Sequence, residues 1–371
     1  MKILHLTTHL EMGGIPIYVL NLCRGLKREG HLPMVVSSGG ALEKRFTEEG
    51  VPHFQVPCRT SSEVSPTLWL RAFPRLLGIV RRERPDMLHA HTRVTQVLAW
   101  ALHCSTGIPY VTTCHGLYRF RFGRRFFHCW GSAVMAISTP SMERLVHDYK
   151  LAEPHQAVLV RNGIEVDHFL RPVPPEQVAA FRQQHGLNGE PVIGAVARLS
   201  PVKGFDFLLR AVPDLLKKFP RLQVLLVGSG PAREDLVRLA YELKIADHVV
   251  IAHPVDDTRI PLAAMQIFVT ASLREGFGLA LVEAMAAGVP VVATDSGGPA
   301  EIIEPGKSGL LVPPGESGKL GQAIGRLLSD PVLWARMAEV DRQRARSQFD
   351  LKRVVREVEA VYTEFARNGS S

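Results

Sequence analysis

The sequence predicts an α/β protein built from two doubly wound, Rossmann-like domains. Short apolar runs alternate with segments of helical periodicity along most of the chain, a pattern typical of parallel sheets with helices on both faces. The runs form two series separated by the proline cluster Arg171–Glu176, which disfavours regular structure. A length of 371 residues also exceeds what one hydrophobic core usually organises. We therefore predict domains at residues 1–170 and 171–350, followed by a final segment 351–371.

The predicted strands fall into the same two series. The first series comprises Ile3–Thr8, Met34–Ser37, Met87–Ala90, Tyr110–Cys114, Val134–Ile137 and Ala157–Val160. The second comprises Val192–Ala197, Val224–Val227, Val249–Ala252, Ile267–Thr270 and Val289–Ala293. The final segment has apolar residues at helical spacing from Leu351 to Phe365, which predicts a helix with one buried face.

Composition excludes several classes of protein. With 46% hydrophobic and 7% aromatic residues, the chain is typical of globular proteins. Its five cysteines are widely spaced and odd in number, which favours reduced thiols in a cytosolic protein over a disulfide framework or a thiolate zinc site. No run approaches 18 uninterrupted apolar residues, so we expect no membrane-spanning helix and, at most, peripheral membrane contact.

The net charge of +8 is concentrated in the first half of the chain. Residues 1–170 carry 20 basic and 13 acidic side chains, and the excess lies mainly at Arg71–Arg84 and Arg119–Arg125. The second segment is interleaved with phenylalanines. Basic and aromatic residues together could contact anionic lipid or nucleic acid, or form a solvated helix face beside a buried aromatic stripe.

Three loops of the first half carry candidate binding residues, since ligands of open α/β sheets lie beyond the carboxyl ends of the strands. Gly13 and Gly14 allow close approach of a phosphate or sugar, although a tight turn uses such glycines equally often. His89 and His91 face the same side of a strand at a spacing zinc could use, but no third ligand is evident, which favours a cleft-lining or hydrogen-bonded role. His115 could hydrogen-bond a sugar or be a structural histidine.

In the second half, Arg198 and Lys203 flank a loop between a strand and a helix. Two cations at that place could bind a diphosphate leaving group, and ordinary surface charge is the alternative. The segment Leu226–Pro231 contains a Gly-Ser-Gly sequence, but position 233 is Arg where a dinucleotide-binding fingerprint requires glycine. NAD binding therefore has little support.

The strongest motif joins two glutamates, Glu275 and Glu283, through a glycine-containing loop that leads into a helix. The amides of Gly278 and Leu279 at the start of that helix predict an anion site between the two carboxylates. Each carboxylate could accept hydrogen bonds from a different pair of hydroxyl groups, one pair on a sugar and the other on a ribose. One short segment could thus bind a sugar, a phosphate and a ribose.

Taken together, these motifs resemble those of the retaining glycosyltransferases of family 4, which have the GT-B fold. The resemblance covers nearly the whole chain and rests on Gly13-Gly14, Asp86 with His89 and His91, His115-Gly116, Asn162-Gly163-Ile164, Arg198 with Lys203-Gly204, and Glu275 with Glu283. It implies two Rossmann-like domains that face each other across a cleft. It also implies that the final helix, 351–371, crosses back to the first domain.

The resemblance further implies a role for each candidate residue. Arg198 and Lys203 would contact the donor diphosphate, Glu283 the ribose, Glu275 the donor sugar, and His115 the reacting sugar. The implied activity is transfer of a sugar, a hexose in the simplest case, from a nucleotide diphosphate to an acceptor hydroxyl with retained configuration. We expect this activity to serve the assembly of lipopolysaccharide, cell-surface polysaccharide or glycolipid. A sugar-nucleotide epimerase and a non-catalytic sugar-nucleotide-binding protein are the alternatives.

The expected partners follow from the same resemblance and from the charge. They are a nucleotide-sugar donor, a glycan or glycolipid acceptor, and an anionic membrane surface contacted by the basic first domain, but not nucleic acid. Because no Asp-x-Asp pair occurs in the chain, we expect neither a divalent metal nor another cofactor. We expect the protein in the cytoplasm or at the cytoplasmic face of the membrane. The choice between UDP and GDP, and the sugar itself, stay open.

Overall fold

The computed structural model of the protein describes residues 1–60, 62, 65–116, 129–148 and 156–368. Packing divides the chain into two units, Met1–Asn162 with Leu351–Ser371, and Gly163–Asp350. This division falls a few residues before the predicted boundary at 170, because the short helix Val166–Phe169 packs against Leu279–Ala287 of the second unit. The predicted basic and aromatic segment Arg119–Arg125 lies outside the described residues.

The first unit contains a parallel seven-stranded sheet in the order β3-β2-β1-β4-β5-β6-β7. Its strands are β1 Lys2–Leu6, β2 Leu32–Ser37, β3 His53–Gln55, β4 Met87–Ala90, β5 Tyr110–Cys114, β6 Ala133–Ala136 and β7 Ala157–Leu159. The strand order reverses between β1 and β4, so the loops after these strands lead away to opposite sides. This topological switch point is where an open α/β sheet binds ligands.

Helices cover both faces of this sheet. The helices described in the first unit are Gly14–Arg28, Glu43–Glu48, Phe73–Glu83, Arg93–Thr106, Thr139–Glu143 and Leu351–Asn368, with π-helical turns at Leu68–Ala72 and Arg144–Asp148. The first and last of them pack against each other over one core cluster. Gly25 allows this close crossing, because a Cβ there would lie 2.3 Å from Cγ2 of Val355.

The second unit contains a parallel six-stranded sheet in the order β10-β9-β8-β11-β12-β13. Its strands are β8 Val192–Val196, β9 Gln223–Val227, β10 Val249–Ala252, β11 Ile267–Thr270, β12 Val291–Thr294 and β13 Leu310–Val312. Its order reverses between β8 and β11. The loops after these two strands hold Arg198, Lys203 and Glu275.

The helices of the second unit complete a doubly wound architecture. They are Val166–Phe169, Pro175–Gln184, Phe205–Lys218, Arg233–Glu242, Arg259–Ala263, Leu279–Ala287, Gly298–Ile302, Ser317–Ser329 and Pro331–Gln348, with 3₁₀ turns at Pro201–Lys203 and Ala246–His248. Two doubly wound units confirm the predicted fold class. Among the described residues, no helix combines the length and apolar character needed to cross a bilayer.

Candidate functional site

In the second unit, Glu275 lies in a loop held by backbone hydrogen bonds. The loop follows β11, and the Glu275 N–H donates to the Ser296 carbonyl at 2.9 Å while the Gly298 N–H donates to the Glu275 carbonyl at 3.0 Å. Gly298 is required here, because a Cβ would lie 2.2 Å from the carbonyl oxygen of Phe277. The backbone therefore presents Glu275 from a rigid position.

The structure brings Glu275 together with Lys203. Lys203 Nζ donates to Glu275 Oε2 at 2.5 Å, and the Ser272 hydroxyl donates to the same oxygen at 3.0 Å. The two charged side chains keep 23% and 15% of their surface exposed, so a ligand can reach the pair. Because the Lys203 ammonium has three N–H donors and Glu275 accepts from one of them, an anionic ligand can either share this cation or displace Glu275 from it.

The helix Leu279–Ala287 begins directly after this loop. Its N-cap residue, Gly278, has φ +112°, a left-handed backbone conformation that residues other than glycine rarely adopt. Among the residues that the structure describes, no side chain caps the helix, and no acidic residue lies in its first turn, so the positive end of the helix dipole is not neutralised by its own residues. These amides lie where the sequence predicts an anion site beside Glu275, and the anion site itself stays a prediction.

Glu283 lies further along the same helix in a different environment. The Thr258 hydroxyl donates to Glu283 Oε2 at 3.0 Å, and no ion pair reaches this carboxyl from the residues that the structure describes. Burial raises the pKa of Glu283 to about 7, while the Thr258 hydrogen bond lowers it and the Asp257 charge raises it. The carboxyl is therefore poised to change its ionisation near neutral pH.

The residues that support Glu283 were not predicted from the sequence. Arg259 binds Asp257 through both carboxylate oxygens, with Arg259 Nη2 donating to Asp257 Oδ2 at 2.6 Å and Arg259 Nε donating to Asp257 Oδ1 at 2.9 Å. Burial tends to raise the pKa of Asp257, but the hydrogen bonds from Arg259 outweigh it and lower the pKa. This pair holds the loop that carries Thr258. A local Asp-x-Arg spacing was the only signal for it in the sequence.

Arg198 differs from Lys203 in having no ion-pair partner among the described residues, and its side chain is exposed after β8. The nearby Gly-Ser-Gly segment serves packing between backbones. A Cβ at Gly228 would lie 1.9 Å from the Ala197 carbonyl, and one at Gly230 would lie 2.1 Å from the Leu199 carbonyl. These glycines bring the loop after β9 against the loop that holds Arg198.

In the first unit, Gly13 and Gly14 begin the helix Gly14–Arg28. Gly13 is extended, with φ 170°, and a Cβ at Gly14 would meet no described atom within 4 Å. Neither backbone conformation nor packing against the described residues requires a glycine at position 14. The first turn has no acidic residue, and no side chain of the described part of the chain caps it, which favours an anion or a sugar oxygen at this end.

His115 follows β5 and joins a cluster of histidines. His91 Nδ1 lies 3.1 Å from His115 Nε2, and His91 Nε2 lies 3.0 Å from His5 Nδ1. His89 lies beside them, with Nδ1 2.6 Å from the Tyr362 hydroxyl and Nε2 2.7 Å from Thr113 Oγ1. His5 was not predicted as a site residue, and the pairing of β1 with β4 places it directly opposite His89.

Burial favours the neutral form of all four imidazoles. Burial lowers the pKa of His5 and of His115 to about 3 and lowers the pKa of His89 and His91 well below the usual range. His5, His89 and His91 also offer three nitrogens within 4.8 Å of one another, a spacing compatible with a metal ion. Most ring nitrogens of these three residues, however, already have a hydrogen-bond partner in another histidine, in Thr113 or in Tyr362.

Comparison with known families decides what kind of protein carries these sites. Residues 12–168 match the family described as Glycosyltransferase Family 4, and residues 177–345 match Glycosyl transferases group 1. The chain belongs to the group 1 glycosyltransferases. The first match ends and the second begins within 15 residues of the boundary between the two units, and the family resemblance seen in the motifs is confirmed.

Relatives of this glycosyltransferase include archaeal, bacterial and human proteins. An uncharacterized glycosyltransferase of Methanocaldococcus jannaschii is 28% identical over 338 residues, covering 86% of each chain. One component of the human phosphatidylinositol N-acetylglucosaminyltransferase is 27% identical over 308 residues, covering 79% of this chain and 61% of its own. A GDP-mannose-dependent phosphatidylinositol monomannoside mannosyltransferase of Mycolicibacterium smegmatis is 36% identical over 178 residues, 46% of each chain.

Solved structures share the fold. A glycosyltransferase from Rickettsia africae superposes with a TM-score of 0.86 at 23% identity and covers 99% of both chains. Anabaena HepE in complex with UDP-glucose has the same TM-score and identity, covering 98% of this chain and 99% of its own. These similarities confirm the GT-B fold.

Proposed function

We propose that this glycosyltransferase transfers a sugar from a nucleotide diphosphate to an acceptor hydroxyl with retention of anomeric configuration. The observation that carries the proposal is the uncapped start of the helix Leu279–Ala287, with the Lys203–Glu275 pair on one side and Glu283 along the helix. The UDP-glucose complex of HepE, which shares the fold, supports a nucleotide-sugar donor.

The donor diphosphate is expected at the cationic part of this site. Its negative charges would accept hydrogen bonds from Lys203, Arg198 and the helix amides near Gly278 and Leu279. Binding to Lys203 releases Glu275 from its ion pair. The freed carboxylate can then accept hydrogen bonds from sugar hydroxyls, while Glu283 accepts them from the ribose.

The reaction needs no nucleophile from the protein. The bond from the anomeric carbon to the diphosphate oxygen breaks, and its electron pair stays on that oxygen. The acceptor hydroxyl oxygen forms the new bond on the same face, and its proton passes to the departing phosphate oxygen. Fixed positive groups stabilise the charge that develops on the diphosphate, so we propose that turnover requires no divalent metal. His115 would contribute a neutral hydrogen-bonding group near the sugar.

The acceptor is proposed to be a glycan or glycolipid presented at an anionic membrane surface. In the first unit, Leu70 is 76% exposed beside the exposed Arg71 and Arg75, and all three line one surface pocket. An apolar side chain among arginines suits the boundary between lipid head groups and acyl chains. The relatives that are named for phosphatidylinositol derivatives support such an acceptor.

Incubation of the purified protein with UDP- and GDP-sugars tests the proposal. Transfer to a lipid or glycan acceptor, with a product whose anomeric configuration by NMR matches the donor, is the expected result. Conversion of the donor sugar without any acceptor would identify an epimerase instead. Binding of the donor with no product in either assay would identify a non-catalytic binding protein.

A further inference from the structure

Three histidines of the first unit form a continuous row of hydrogen-bonded imidazoles. His5 Nδ1 meets His91 Nε2 at 3.0 Å, and His91 Nδ1 meets His115 Nε2 at 3.1 Å. The rings of His5 and His91 are nearly parallel, with an interplanar angle of 21°. The row runs from the buried strand β1 to the loop after β5, where the less buried His115 ends it.

All three rings are neutral at physiological pH, because burial lowers the pKa of His5 and His115 to about 3 and that of His91 well below its usual range. A neutral imidazole carries one N–H and one lone pair. Each of the two hydrogen bonds in the row needs one N–H and one lone pair facing each other. The proton positions of the three rings are therefore coupled.

Only two arrangements satisfy both hydrogen bonds. In one, all three rings carry the proton on Nδ1, so that His5 donates to His91 and His91 donates to His115. In the other, all three carry it on Nε2 and the direction is reversed. The nitrogen of His115 that does not take part in the row, Nδ1, is a donor in the first arrangement and an acceptor in the second.

The inner end of the row decides between them. His5 is fully buried, and its Nε2 has no hydrogen-bond partner among the described residues. A buried N–H without an acceptor is rarer in proteins than an acceptor without a donor. The proton of His5 is thus favoured on Nδ1, which places those of His91 and His115 on Nδ1 as well.

We propose that His5 and His91 are positioning residues that hold the proton of His115 on Nδ1, so that His115 presents a neutral N–H donor to an oxygen of the donor sugar. The hydrogen bond from His115 to the sugar rests on the proposed function, whereas the coupling of the three proton positions does not. Tyr18, whose ring packs edge-on against His115 at 4.8 Å between centroids, keeps the imidazole plane in place.

Nitrogen NMR of the full-length protein labelled with ¹⁵N-histidine tests the coupling directly. We expect His5, His91 and His115 each to show a protonated Nδ1, with assignments made by single substitutions. His5→Leu removes the inner donor, and His115 should then populate both tautomers. His5→Asn restores a donor near the position of Nδ1 and should restore the single tautomer. If His5→Leu fails to fold, the wild-type spectrum and His5→Asn still decide the question.

Kinetics supply the second readout. His5→Leu should lower kcat by about tenfold, as loss of a group that orients a site residue typically does, while the nucleotide Kd stays unchanged because its proposed ligands lie in the other unit. His31→Leu is the matched control, since it also removes a hydrogen-bonded histidine of the first unit, one bonded to Glu359. It should keep both the tautomer of His115 and the wild-type kcat.

Three results would overturn the proposal. They are a wild-type His115 protonated on Nε2, a His115 tautomer that His5→Leu leaves unchanged, and stoichiometric zinc bound to His5, His89 and His91 in the purified protein. Failure of sugar transfer with a coupled tautomer spectrum would instead contradict the proposed function and leave the row of imidazoles intact.

Discussion

Ionisation of Glu283 should make nucleotide binding depend on pH. Burial raises the pKa of this carboxyl to about 7, and it can accept strong, charge-assisted hydrogen bonds from two ribose hydroxyls only when it is ionised. With that pKa, about one tenth of the carboxyl is ionised at pH 6 and about nine tenths at pH 8. Since apparent affinity scales with the competent fraction, the Kd for UDP or GDP should fall about tenfold between these pH values.

Calorimetry measures both the affinity and the number of protons released when the nucleotide binds. In buffers of different ionisation enthalpy, binding at pH 7 should release about half a proton per nucleotide, because about half of Glu283 is then protonated. Glu283→Gln should bind more weakly and lose the part of the pH dependence that comes from Glu283, leaving only the titration of the nucleotide phosphate. Glu283→Ala should weaken binding further, whereas Glu275→Ala should act mainly on turnover.

Glu316→Gln serves as the matched control, because it removes an exposed carboxyl of the same unit. It should keep the wild-type affinity at both pH values. Equal wild-type affinities at pH 6 and pH 8, or a tenfold change that persists in Glu283→Gln, would refute the assignment of Glu283 to the ribose.

Three further predictions concern other parts of the chain. Lys203→Ala should lower kcat by about 10²–10³-fold, the usual cost of losing one preorganised charge. EDTA should leave wild-type turnover unchanged, and a loss of activity in EDTA that Mg²⁺ restores would contradict the metal-free mechanism. Replacing Arg71 and Arg75 by Glu should reduce cosedimentation with anionic vesicles, and the wild-type binding should weaken as salt rises; equal binding to neutral vesicles would exclude an electrostatic contact. Asp341 is fully buried, and burial raises its pKa to about 9. Because the folded state holds this proton more tightly than the unfolded state, the free energy of unfolding should fall as pH rises from about 4 to about 9. Asp341→Asn should therefore raise the Tm at pH 8 by about 2–4 °C for each kcal/mol of destabilisation that it removes, and by less at pH 5. A lower Tm of this variant at pH 8 would show that the charged form of Asp341 has a partner.

Much of the fold was predictable because the signals are local. Buried parallel strands need continuous apolar runs, and the helices between them need one apolar face, so both series of strands could be read from the sequence. The two edge strands β3 and β13 were not predicted. His53–Gln55 is only three residues long and contains two polar side chains. Leu310–Val312 is apolar but equally short, and Pro313 and Pro314, which are typical of loops, follow it directly.

The position of the candidate donor site was also predictable in part. Loops after parallel strands lie at one edge of a sheet, which is why the sequence indicated binding residues in the loops that hold Arg198, Lys203 and Glu275. Their actual partners were not predictable. The ion pair between Lys203 and Glu275 joins residues 72 positions apart, and the raised pKa of Glu283 depends on how much water the surrounding chain excludes.

The sequence by itself determined most of the strands and which chemical groups stand at their ends. Only the tertiary structure decided which of those groups meet. His5 lies opposite His89 because β1 pairs with β4 in one register, and Tyr362 reaches His89 across 273 residues because the final helix packs on the first. Such contacts depend on strand register and helix packing, which are set by the burial of whole surfaces rather than by any local pattern of residues.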